Sequence, residues 1–227
     1  MKAITFTNTS GVEIAKPEPA KSFIPEWYKK MESYLGGVKK PNGNGEGAAT
    51  IKKCIPVFDA ITAGYIITTP VDIFVTQVDG KSYYEWSSLN AISFHAVEQA
   101  PTHPYGNEKS ESYAKIINPW GIKTPKGYSC LFTAPMHRDN IMIALDGVVD
   151  TDTYEAPVNF PFVLKDPFFE GLIPAGTPIV QVIPFKRESW KMELGKDLKK
   201  IQDTNNLLLV NFFDRYKNRF WSRKEYN

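Results

Sequence analysis

Apolar positions change period along the chain, and the changes divide it. Ile24, Trp27, Tyr28, Met31, Tyr34 and Leu35 recur at helical spacing. Pro25 suits a first helical turn and Gly36-Gly37 can end one, so the spacing predicts a helix over 25–35. Residues 36–47 (GGVKKPNGNGEG) follow as a Gly-rich loop whose one apolar anchor is Val38. From residue 51 the pattern shortens into strand-like runs at 65–69, 71–78, 82–86, 112–117, 122–133, 141–145, 158–164 and 177–185. Asp79-Gly80 between two of them is a two-residue hairpin signal. Asn118-Pro119-Trp120-Gly121 and Thr124-Pro125-Lys126-Gly127 are turn chemistry, and 104–110 is a polar loop. Near the end Leu209, Phe212, Phe213, Tyr216 and Phe220 form a helical stripe, ringed by Arg215, Lys217, Arg219, Arg223 and Lys224. The predicted plan is an N-terminal arm over 1–50, a β body over 51–187 and a C-terminal helical appendage over 188–227.

Composition agrees with a β-rich globular chain. Of 227 residues, 42% are hydrophobic and 23% charged, while 14 Phe, 11 Tyr and 17 Pro favour short strands and turns over a helical bundle. A net charge of +2 demands neither nucleic acid nor an anionic membrane as partner, and the basic C-terminal helix reads first as a solvated face. No apolar run approaches a membrane span, and residues 1–8 hold no apolar signal segment, so a cytoplasmic or particle-borne protein is expected. Cys54 and Cys130 each lie in an apolar run outside any CxxC, as buried reduced thiols do.

Three groups of residues invite a chemical reading. In Gly147-Val148-Val149-Asp150-Thr151-Asp152-Thr153-Tyr154 a β-branched pair feeds an Asp-x-Asp turn followed by an aromatic. A carboxylate held at a strand end can accept from a sugar hydroxyl or orient a water, and two together can share Mg²⁺; an Asx-type turn explains the same residues structurally. Gln181 is the one polar side chain in the apolar strand after Pro174-Ala175-Gly176, where burial would oblige it to find a partner. His95 and His103 bracket Glu98 and Gln99 without the HxH or HxE spacing of a cupin metal set, which leaves ordinary histidines as the simpler reading. P-loop, Gly-x-Ser-x-Gly, Gly-x-Gly-x-x-Gly and paired-Cys zinc motifs are absent from the sequence.

The order of these segments resembles the trimeric dUTPases and their dCTP-deaminase relatives, which share the β-clip fold. Residues 122–128 (IKTPKGY) are similar to that family's strand-Pro-x-Gly-Tyr turn. Gly147 to Tyr154 is similar to its Gly-Val-Ile-Asp-x-Asp-Tyr motif, with Thr153 as one extra residue, and 173–183 is similar to its Gly-x-x-Ile-Ala-Gln-Leu strand. The resemblance implies that Asp150 positions the deoxyribose and the attacking water, that Tyr154 stacks under the sugar, and that Gln181 is the motif glutamine. Where the family carries an Arg-Ser-Ser phosphate turn this chain has Thr133-Ala134-Pro135-Met136-His137-Arg138-Asp139, so His137 and Arg138, with Arg187, are the candidate anion ligands. The Gly-rich arm that closes over the triphosphate is replaced by the aromatic, basic C-terminus. Segments FIPEWYKK, VFDAITAGYI and NPWGIKTPKGYSCLF are also similar to a protein family of tailed-phage genomes.

These readings predict a mainly β fold, a β-clip or barrel-like body with an N-terminal arm helix and C-terminal helices. The leading functional expectation is a non-catalytic phage-type accessory or structural protein that forms a homo-oligomer, as the trimeric β-clip proteins do, and binds virion or host proteins. The alternatives are a nucleotide-binding or divergent nucleotide-hydrolysing enzyme around Asp150, Asp152 and Tyr154, with Mg²⁺ as cofactor, and a metal-dependent cupin-like enzyme.

Overall fold

The computed structural model describes residues 2–40, 45, 47–99, 112–210 and 214–227. The chain opens with β1 (Thr5–Asn8), β2 (Glu18–Pro19) and a short helix α1 (Glu26–Lys30), and α2 (Ile55–Thr62) follows. The strands β3 (Tyr65–Thr68), β4 (Ile73–Val78), β5 (Lys81–Trp86), β6 (Ile92–Ala96), β7 (Ser112–Ile116), β8 (Trp120–Lys123) and β9 (Tyr128–Thr133) come next. They are followed by β10 (Met142–Ala144), β11 (Gly147–Val149), β12 (Phe160–Leu164), β13 (Gly171–Ile173) and β14 (Pro178–Lys186), then by α3 (Leu198–Val210) and α4 (Arg215–Arg219). The fold is mainly β. The described strands form four antiparallel sheets, ordered β1-β8, β10-β12-β7-β6, β11-β9-β14-β3-β2 and β13-β4-β5, and none closes into a barrel. Their inner faces meet over one core that includes Ile67, Ile73, Ile116, Phe132, Phe160 and Val182.

Asp79-Gly80 makes the expected hairpin: Val78 pairs Lys81, and both turn residues take positive φ, as a type I′ turn requires. Three expectations need correction. The helix predicted over 25–35 stops at Lys30, because the ammonium of Lys52 takes the carbonyls of Lys29 and Met31 at 2.8 Å each and Met31 turns extended. Leu35–Gly37 is a separate 3-10 turn. Within the stretch expected to be strands lies α2, with Pro56 in its first turn and Ile61 fully buried. The C-terminal stripe is not one helix, since Asp214 adopts φ 59° and separates α3 from α4; Phe212 and Phe213, like the polar loop at 104–110 and His103, lie outside the described residues.

The arm of residues 1–50 is joined to the body. β1 pairs β8, β2 pairs β3, and the Trp27 indole donates to the His137 carbonyl at 2.8 Å. The C-terminus folds back too: the Trp221 indole and Lys224 both donate to the Asp59 carboxylate of α2, and Lys53 pairs Asp214 at 2.7 Å. Cys54 and Cys130 are both free thiols. Among the described residues no helix is long and apolar enough to cross a membrane.

Candidate functional site

Strand pairing brings the Asp-x-Asp turn to the Pro-x-Gly turn. β11 pairs β9 with Val149 opposite Cys130, so the chain leaves β11 beside Ser129. The Asp150 carbonyl then accepts from the amides of Thr153 and Tyr154 at 3.0 and 2.9 Å, which tightens the turn. Thr151 is buried beneath it, with its hydroxyl 2.8 Å from that of Thr124 and donating to the Cys130 sulfur at 3.3 Å. Asp152 Oδ2 accepts from the Gly127 amide at 2.8 Å, and Asp150 Oδ1 accepts from the Ser129 hydroxyl at 2.6 Å.

Arg187 completes the cluster from the end of β14. Lys186 pairs Tyr128, and the Arg187 amide donates to the Gly127 carbonyl at 2.9 Å, which delivers the guanidinium between the two carboxylates. It grips Asp152 bidentately at 2.7 and 2.5 Å, and its Nη1 lies 3.0 Å from Asp150 Oδ1 and 3.2 Å from Ser129 Oγ. The Asp152 side chain is 2% exposed, whereas that of Asp150 is 60% exposed. The Arg187 hydrogen bonds, with the Gly127 amide, hold the Asp152 carboxyl at about 2. The Ser129 hydroxyl, then Arg187, holds Asp150 below its ordinary value. Two carboxylates thus share one guanidinium. The Tyr154 ring is half exposed on the same turn.

Gln181, Arg138 and His137 do not join this cluster. Gln181 lies six residues before Arg187 on β14, roughly 20 Å away along an extended strand. It is fully buried, and its amide donates to the carbonyls of Ala60 and Ala63 at 2.8 and 2.7 Å while its oxygen accepts from the Met136 amide at 2.9 Å. Arg138 donates to the carbonyls of Ala20, Phe23, Ile61 and Met136. Together they satisfy the carbonyls at the end of α2, where a cation also suits the helix dipole. Burial lowers Arg138 to about 10, so it stays charged at neutral pH. His137 takes φ 55°, its carbonyl is held by Trp27, and its side chain is exposed.

The arrangement supports chemistry at one end only. Asp150 Oδ2 has no partner among the described residues and could accept from a hydroxyl. Asp152 has both oxygens committed to Arg187 and Gly127, so the pair offers little to a hard cation. Among the described residues no group of three His, Cys, Asp or Glu is placed to hold a metal, and His95 sits 3.1 Å from Gln99 Oε1. Ser129 escaped sequence reasoning; its signal was a small polar residue next to the apolar Cys130-Leu131-Phe132 run of β9. The capping role of Arg138 left no local signal.

No known family model and no curated protein matches the chain. Several solved phage dUTPases are similar to it in fold. The dUTPase of Staphylococcus aureus phage phi11, described with a structural Mg(II) ion, is 11% identical with a TM-score of 0.31, over 71% of this chain and 92% of that one. The dUTPase of Staphylococcus phage 80alpha, described with dUpNHpp, is 12% identical with a TM-score of 0.32, over 74% and 88%. The likeness concerns the β fold and assigns no residue of this chain a role.

Proposed function

We propose that this chain is a non-catalytic accessory or structural protein of phage type, whose dUTPase-like β body serves binding and assembly. The observation that carries the reading is where the cationic and amide groups go. Arg138 and Gln181 hold the end of α2, and Arg187 is shared by Asp150 and Asp152. A triphosphate needs several uncommitted cations or amides converging on it, and the Asp150 end instead presents two carboxylates to one guanidinium. On this reading the protein acts as a homo-oligomer in the host cytoplasm or in the virion, with virion or host proteins as partners.

The test is a thermal-shift and calorimetric titration with deoxynucleoside mono- and triphosphates and cyclic nucleotides, with and without Mg²⁺. The expected result is no stabilisation. A ligand at 100 times its Kd would add about 2.7 kcal/mol. Such a shift, abolished by Asp150→Ala, would replace this reading with a nucleotide pocket. That second reading has one observation in its favour, the exposed Asp150 carboxylate beside the half-exposed Tyr154 ring.

A further inference from the structure

Beyond β14, residues 188–197 lie outside any helix or strand before α3 begins. Trp190, Met192 and Leu194 alternate in sequence with Lys191 and Glu193, which pair with each other at 2.9 Å, as residues two apart on one side of an extended chain do. This is the pattern of a strand with one buried face, yet Trp190 is 88% exposed, Met192 80% and Leu194 88%. Among the described residues, 188–195 make no backbone hydrogen bond to the body. A run of three large apolar side chains held in water is a surface that lacks its partner.

The sheet β13-β4-β5 carries a matching surface. Its inner residues Ile73, Val75 and Ile173 are fully buried, and Tyr84 and Trp86 pack on the same core. The alternate residues face outward. Leu172 stands opposite Phe74, with Val78 and Tyr83 further along, and all four are about half exposed. Among the described residues no further strand extends this sheet, and these four side chains stay about half open to solvent.

We infer that residues 188–197 form an exchange arm that docks Trp190, Met192 and Leu194 onto this outer face of a second copy of the chain. The inference deepens the assembly reading above and rests on it only in taking the chain to self-associate. Three observations favour a second copy as the occupant. The arm and the face are apolar surfaces of the same chain, left open at the same time. Fully extended, ten residues reach about 33 Å, far enough to cross to a neighbour. One arm on one face removes on the order of 1,000 Å² of surface, the threshold for a specific interface, and a reciprocal exchange doubles it.

Sedimentation velocity and light scattering on the full chain test this. Wild type is expected to be oligomeric at micromolar concentration. The arm variant Trp190→Ser/Met192→Ser/Leu194→Ser is expected to associate about 100-fold more weakly or worse with an unchanged far-ultraviolet circular dichroism spectrum, because the three side chains are largely exposed in their own subunit. The face variant Phe74→Ser/Leu172→Ser is expected to behave likewise. An equimolar mixture of the two is expected to form a 1:1 complex that neither forms alone, because each keeps the half that the other lacks. A monomeric wild type, an arm variant that assembles like wild type, or a mixture that stays monomeric would overturn the inference. The arm variant and the mixture do not involve Asp150, so a nucleotide-induced shift would overturn the functional reading and leave this result standing.

Discussion

Replacing Gln181 by leucine separates a structural glutamine from a ligand-binding one. The two side chains have similar volume, so the exchange leaves little cavity and isolates the hydrogen bonds. In the wild type the amide donates to Ala60 and Ala63 carbonyls at 2.8 and 2.7 Å, and Oε1 accepts from the Met136 amide at 2.9 Å, all around a side chain with no exposure. Leucine removes the partner of three backbone groups. Each unsatisfied group costs about 1–3 kcal/mol, and burying the leucine returns about 1.5–3 kcal/mol, for a net loss of about 4 kcal/mol. With a urea m-value of about 2.5 kcal/mol/M, the unfolding midpoint falls by about 1.6 M. Urea titration followed by tryptophan fluorescence reads this directly. Asp150→Asn, at an exposed carboxylate, is expected to leave the midpoint in place. If Gln181→Leu shifts the midpoint by less than about 0.3 M, the capping account is wrong.

Three other perturbations probe separate parts of the fold. A Cβ on Gly64, at φ +67°, would lie 1.9 Å from the Val182 carbonyl oxygen. Gly64→Ala must therefore part β3 from β14 and cost about 3 kcal/mol or more, while Gly80→Ala, at φ +75° with open space, costs about 1 kcal/mol; equal urea midpoints for the two would refute the clash. Asp152 titrates at about 2 against an ordinary 3.8, so its contribution to stability is fully present above 3.8 and is lost as pH falls through about 2. In Arg187→Gln the Asp152 carboxyl, followed by carbon NMR, is expected to titrate closer to 3.8, with acid unfolding beginning at higher pH; an unchanged titration would show that Arg187 is not the cause. Burial pushes the Cys130 thiol up, whereas Cys54 is only partly buried. Ellman's reagent should label Cys54 in the native protein and Cys130 only in denaturant, and equal native rates would contradict the packing of β9.

Features written in a few adjacent residues were legible. The Asp79-Gly80 hairpin, the strand runs around it and the turn at 124–127 follow from side-chain alternation and turn chemistry. The Asp150 turn was legible for the same reason, because its carbonyl is satisfied three and four residues on. Helix α1 was overestimated because its end depends on Lys52, more than twenty residues away, and α2 was missed because its eight residues are apolar enough to pass for a buried strand. Asp214 is left-handed at the start of α4, which no residue pattern announces.

The amino-acid sequence by itself determined that this is a mainly β chain, with an Asp-x-Asp turn after one strand and a lone glutamine within another. Only the tertiary structure decided what those polar groups do. Arg187 meets Asp152 across 35 positions, Arg138 meets the Ile61 carbonyl across 77, and Gln181 meets Ala60 across 121. A hydrogen bond forms only at about 3 Å, and no local pattern of residues records which distant carbonyl will arrive there. That is why Asp150 is held by Arg187, just past the end of β14, while Gln181, within the strand, is committed to the end of α2.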